Sequence, residues 1–247
     1  MKNIKLDIMF DGRNYYGMQK QKNKPTIQGE VEKALKELFK EEINLIYAGR
    51  TDRGVSSEKM VANFFVETKI KVEKIALALN QFLPSNIKII KSEEVNSSFN
   101  SRISAKNKTY KYGLYVSKTE LPVFKFESQF KSNLNYYKMK KAIKYLKGTK
   151  DFTSFVTSSC EIENKVRTIF KVKLKRKIIN KIEHFYFYFT GNGFLYNQVR
   201  IMVGTIIMVG LNKIKPKEIK NIIKAKNRSK AGSVMPANGL MLVDIKY

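Results

Sequence analysis

The chain has little with which to hold a metal or build a sulfur framework. Its 247 residues include one cysteine, Cys160, and one histidine, His184. A lone thiol excludes an intrachain disulfide framework and any cysteine-based metal cluster, and a lone imidazole excludes multi-histidine metal sites. Acids are scarce as well. Twenty-one Asp and Glu stand against 48 Lys and Arg, a formal net charge of +27. Part of that excess follows from a composition rich in Lys, Asn and Ile, but drift toward Lys does not explain so few acids. A polyanion partner does, because neutralised phosphates release condensed counterions and supply affinity for any sequence. Long apolar runs are also missing. The longest, residues 194–211, is interrupted by Asn197, Gln198 and Arg200, so it reads as a buried helix rather than a membrane span. The first residues alternate like a strand and lack the apolar centre of a signal peptide. A cytoplasmic protein without membrane attachment is expected.

What is present is the pattern of a globular α+β protein. Hydrophobic residues make up 43% of the chain, enough for a real core. Alternating stretches at 5–10, 60–66, 87–90, 109–116, 170–174, 185–189 and 240–245 predict strands, with a further candidate at 43–47. Helical spacing appears from Ile27 to Phe39 after Pro25-Thr26, over 72–83 before Pro84, over 134–146 before Gly148, from 194 onward, and over 216–225. The two halves repeat the theme with no Pro/Gly-rich linker, repeat period or low-complexity tract between them. The expected organisation is two α/β halves, 1–105 and 106–247.

Elimination narrows the chemistry. There is no Walker loop and no GxGxxG after a strand. Serine–histidine catalysis would have to use His184, which sits beside Glu183 at a strand start and reads best as a surface or strand-end residue. Cys160 has no evident activating partner. Carboxylate, arginine and tyrosine chemistry remains. The segment Gly49-Arg50-Thr51-Asp52-Arg53-Gly54-Val55 stands out, with an Asp between two arginines on a Gly-bounded turn. Taken alone, the triplet could equally be an exposed Asx turn. Arg200 is the second oddity, a guanidinium among Val199, Ile201, Met202 and Val203. Either it snorkels to the surface or it is held inside by a carboxylate, for which Asp52 is the candidate.

At these residues the sequence resembles the tRNA pseudouridine synthase A family, and the blocks run colinearly through the chain. They include Phe10-Asp11-Gly12, Tyr15-Tyr16-Gly17-Met18-Gln19, Thr26-Ile27-Gln28-Gly29 and Gly49-Arg50-Thr51-Asp52 with Gly54-Val55. Asn80, Leu83-Pro84 and Ile87 follow, then Arg102, Lys108, Tyr110 and Tyr112, and Asp151-Phe152-Thr153-Ser154-Phe155 with Arg167-Thr168. The series closes with Gly193-Phe194-Leu195, Val199-Arg200, Gly204, Ala231-Gly232, Pro236-Ala237 and Gly239-Leu240.

The resemblance implies a pseudouridine synthase fold, in which two halves share a continuous mixed, mainly antiparallel sheet with a central basic cleft, and a homodimer. It implies isomerisation of uridine to pseudouridine in RNA, at the tRNA anticodon stem-loop (positions thirty-eight to forty), with neither metal nor organic cofactor. Paralogous targets in other tRNA sites or ribosomal RNA, and a non-catalytic RNA-binding relic, are the alternatives. Asp52 would be the essential carboxylate, Tyr110 would lie under the target base, and Arg200 would pair with Asp52. Arg50 and Arg53 would meet the RNA, and Leu240 would form an apolar wall. Met18, Arg53 and Ser56 depart from the family's usual Trp, Ala and His, and the loop that carries Arg53 and Ser56 is expected to face the RNA.

Overall fold

The computed structural model describes residues 1–158 and 160–247. The fold is α+β with a large, mostly antiparallel sheet. The chain forms two compact units, one of residues 1–106 and 242–247, the other of residues 107–241. The last six residues thus return to the first unit, although sequence alone assigned them to the second half.

In the first unit, β1 (Lys2–Phe10) buries Ile4, Leu6, Ile8 and Phe10 on one face. Alternation of this kind is what a half-buried strand requires. After it, α1 (Ile27–Phe39) is capped by the Thr26 hydroxyl, which accepts from Gly29 N at 3.3 Å. Ile27, Val31, Ala34 and Leu35 form its buried stripe. The short β2 (Ile46–Tyr47) leads to the long β3 (Ser56–Val66), which runs antiparallel to β1. Next come α2 (Val72–Leu79) and β4 (Ile87–Val95), which pairs with the other edge of β1. The helix stops at Leu79, earlier than its apolar spacing suggests, and gives way to tighter turns in which Gln81 N donates to Ala78 O and Phe82 N to Leu79 O. At this end the Asn80 side chain clasps β4, with Nδ2 donating to Ile89 O and Oδ1 accepting from Ile89 N, both at 2.8 Å.

In the second unit the sheet order is β5 (Asn107–Val116), β9 (Ile182–Gly191), β8 (Val166–Ile179), β7 (Gly148–Asp151). A short β6 (Ser128–Phe130) runs parallel to β5. Tyr110, Tyr112 and Leu114 stand opposite Phe189, Phe187 and Phe185, and this face carries the buried core. The helices are α3 (Tyr136–Ala142), which continues as a 3-10 turn to Leu146, α4 (Gln198–Gly210) and α5 (Glu218–Ala225). Residues 194–197 lie outside α4, because Asn197 takes the left-handed conformation (φ 59°) just before the helix. Among the described residues no helix is long and apolar enough to cross a membrane. The final strand, β10 (Leu240–Lys246), neighbours β3. There Ser57 Oγ donates to Leu242 O, and Lys59 meets Asp244 at 3.3 Å.

Candidate active site

The segment carrying Asp52 is an irregular loop between β2 and β3. Such a loop needs outside support, and the turn after β1 supplies it. Met18 N donates to Thr51 O, and Gly54 N to Tyr15 O, both at 3.2 Å. Val55 N closes a turn onto Asp52 O at 3.2 Å, and Gly12 N donates to Ser56 Oγ at 3.0 Å. Gly17 has φ +92°, and a Cβ there would stand 2.4 Å from Thr51 O. The two loops therefore touch backbone to backbone. Asp52 sits at the contact, half-buried, while Thr51 and Val55 on either side are buried.

The supporting loop is held in its turn. Tyr15 donates its phenol to Asn86 Oδ1 at 2.9 Å, and Asp11 N donates to Asn86 O. Arg13 forms a forked pair with Asp11, 2.6 Å at its closest. Arg50 and Arg53 are exposed. Arg53 folds its guanidinium over the Tyr16 ring at 4.3 Å, and Lys24 approaches the same ring at 4.8 Å. Two departures from the family residues prove to be internal. Met18 is fully buried and Ser56 is 1% exposed, so of the three only Arg53 reaches the surface. Met18 fills core space, and Ser56, on the loop expected to face the RNA, turns inward and ties the two loops together.

In the second unit the other candidate residues gather around Tyr112. Tyr110 is half-buried on β5, its ring edge-on to Phe194 at 5.3 Å. Two residues on, Tyr112 is fully buried; its hydroxyl donates to Pro236 O at 2.9 Å and lies 2.8 Å from Ser128 Oγ. Burial pushes this phenol well above the ordinary tyrosine range, against the hydrogen bond with Ser128 and the nearby positive charge of Arg200. Arg200, in the first turn of α4, donates from Nε to Met235 O at 2.5 Å and from Nη1 to Asn197 Oδ1 at 2.6 Å. It is half-buried and tethered rather than snorkelling.

The tether depends on a close chain crossing. A Cβ at Gly232 would lie 2.4 Å from Gly204 C, so the irregular segment 231–235 can run directly over α4. Gly232 N also donates to Thr205 Oγ1 at 2.8 Å. That path sets Met235 O against Arg200 and continues to Leu240, which is 5% exposed. At the far end of the same sheet, Thr168 N donates to Asn192 Oδ1 at 3.0 Å and Asn192 N to Thr168 O at 3.1 Å. This clasp precedes the turn that carries Phe194 to Tyr110.

His184 is not at the surface. It is fully buried, with Nδ1 2.8 Å from Glu127 Oε2, and Tyr186 donates its phenol to Glu127 Oε1 at 3.0 Å. Phe124 stands edge-on to the imidazole at 4.6 Å. The strap over 122–130 covers this part of β9, which a local reading of the strand could not reveal. Its carboxylate partner is Glu127 rather than the adjacent Glu183, which meets Arg176. Among the described residues no group of three His, Cys, Asp or Glu is arranged to hold a metal.

Sequence reasoning missed the Tyr16–Arg53 stack and the Met235 tether. Their signals were present as Gly17 and Gly232, two glycines whose use only the close backbone approaches disclose.

Comparison with known proteins bears on the whole chain. The family described as tRNA pseudouridine synthase matches residues 8–102 and 142–247. A protein named tRNA pseudouridine synthase A from Caldicellulosiruptor saccharolyticus is 45% identical over 248 residues, covering 100% of both chains. One of the same name from Clostridium acetobutylicum is 43% identical over 251 residues, again covering 100% of both. The Clostridium tetani protein named tRNA pseudouridine synthase A 2 is 42% identical, covering 100% of this chain and 99% of its own. With the family matched across most of its length, and its glycines and paired loops placed as described, the chain belongs to the tRNA pseudouridine synthase family.

Proposed function

We propose that this chain isomerises uridine to pseudouridine in the anticodon stem-loop of tRNA, with Asp52 as the essential carboxylate. The observation that carries the reading is the support given to Asp52. A half-buried carboxylate stands on a loop that a second loop braces through three hydrogen bonds, from Gly12 N, to Tyr15 O and from Met18 N, and that rigidity suits a group that must meet one carbon atom.

The reaction breaks the bond between uracil N1 and ribose C1′, turns the base, and joins C5 to C1′. Asp52 assists cleavage, by attack on C1′ or by supporting loss of a proton at C2′. Arg200 supplies its counter-charge and keeps it ionised. Tyr110 lies under the base and accepts or relays the C5 proton once the new bond has formed. Leu240 walls the base site. Arg50 and Arg53 hold the RNA and help draw the uridine out of its stack. No metal or organic cofactor enters the scheme. The protein works in the cytoplasm as a homodimer.

Carbodiimide primer extension on tRNA and ribosomal RNA, from cells with and without the protein, tests the substrate. Loss of pseudouridine from anticodon stem-loops alone supports the reading. Loss confined to ribosomal RNA or to other tRNA positions replaces it.

A further inference from the structure

The second unit carries a basic feature that the proposed chemistry does not use. A groove of about 360 Å³ lies between α3 with its 3-10 extension and the middle of β8. Lys140, Lys144, Lys147, Lys173 and Lys175 line it over an apolar floor that includes Val172 and Leu174. Among the described residues, none of these five lysines pairs with a carboxylate. Five uncompensated ammonium groups around one groove repel each other, and a polyanion relieves that repulsion.

Two kinds of polyanion fit in principle, and the geometry discriminates between them. Strand β7 pairs with β8 only over Val166–Ile169, so the groove flanks a strand edge that no other strand covers among the described residues. An acidic polypeptide would use such an edge by adding a strand. Here Lys171, Lys173, Lys175 and Lys177 recur along it, a pattern that opposes strand addition. The groove instead continues into cation-stacked rings. Arg176 lies over Tyr136 at 5.2 Å and Lys140 over the same ring at 5.5 Å. The neighbouring Tyr137 is 69% exposed. Lysines for phosphates beside tyrosine rings for bases are the combination that nucleic acids recognise.

We infer that this groove is a second RNA-binding surface, which grips the backbone of the substrate away from the modified uridine. The inference rests on the RNA-modifying reading for the identity of the RNA, but not for the grip itself. It is tested by direct binding of unmodified tRNA to the full-length protein, using Lys144→Glu/Lys175→Glu. A control reverses two charges elsewhere, Lys33→Glu/Lys69→Glu. The groove variant is expected to bind tRNA about tenfold or more weakly at moderate salt, with the log–log salt slope reduced by about 0.7 to 0.9 per lost phosphate contact. The control should lose much less. In turnover, KM should rise while kcat at saturating tRNA stays as in wild type.

If the groove variant melts early, Lys144→Gln/Lys175→Gln carries the same test without charge reversal. Wild-type affinity and slope in a folded groove variant overturn the inference and leave the lysines as guards of an open strand edge. Retained tRNA binding with lost binding of polyglutamate also overturns it, in favour of an acidic protein partner. If wild-type protein binds tRNA through the groove yet forms no pseudouridine, the inference stands and the proposed function fails.

Discussion

The guanidinium of Arg53 lies 4.3 Å from the centre of the Tyr16 ring, so the residue following Asp52 is anchored to the loop that braces it. The contact ties the exposed side of the Asp52 segment to that loop. At an exposed site such a stack contributes about 0.5–1 kcal/mol. Arg53→Ala is therefore expected to lower kcat by about two- to fivefold and to weaken RNA binding as well, since the charge is lost too. Tyr16→Leu removes the ring and keeps the charge, and should lower kcat while leaving KM nearly unchanged. Steady-state kinetics on both variants check this. Equal and exclusive effects on KM would make Arg53 a plain phosphate contact.

Gly17→Ala should be far more damaging than its size suggests. The added methyl would meet the Thr51 carbonyl at 2.4 Å, at a φ of +92° that side chains rarely adopt. Left-handed backbone alone costs about 1–2 kcal/mol, and separating the loops adds to it. The variant is expected to melt several degrees lower and to lose most of its turnover even where it stays folded. Thermal melts and single-turnover assays report the two effects separately.

Arg200→Met keeps the length and apolar character of the side chain, so α4 should survive. Two hydrogen bonds, to Met235 O and Asn197 Oδ1, are lost. In the proposed scheme Asp52 also loses its counter-charge. Turnover should collapse near neutral pH and recover in part as the pH is raised and the carboxyl ionises again. A variant with the wild-type pH profile would remove Arg200 from catalysis and leave it as a structural tether.

Acid stability should depend on Asp151. Burial would raise its carboxyl, but hydrogen bonds from Thr153 and the ammonium of Lys226 outweigh that and hold it at about 2, below the ordinary 3.8. A carboxyl depressed in the folded state contributes its stability above the unfolded value, and the contribution is lost as pH falls from 3.8 toward 2. Because the group is partly solvated, the contribution is on the order of 1 kcal/mol. Asp151→Asn should lower stability at neutral pH and flatten the acid limb of the stability curve. Urea titrations between neutral pH and pH 3 measure both.

Much of this fold was legible in the sequence, because the strands and α1 carry their periodicity openly. Helix α2 was read too long because the apolar spacing continues through the tighter turns that follow Leu79. The start of α4 was misplaced because nothing in an apolar run announces the left-handed Asn197. Asp52 and Arg200 stood out as charges in unusual surroundings, and Tyr110 came through the family blocks. The burial of His184 was not legible, since Glu127 and Phe124 reach it from a strap more than fifty residues away. The inward turn of Ser56 was not legible either, because a loop's inner and outer sides are assigned only by what packs against it.

The central claim is that the Asp52 carboxylate makes pseudouridine, and one substitution addresses it. Asp52→Asn keeps the shape of the side chain and removes its charge. Release of tritium from tRNA labelled at uridine C5 should fall to background in this variant, while its tRNA affinity stays near wild type. Tritium released at the wild-type rate by a pure, folded Asp52→Asn protein would contradict the account.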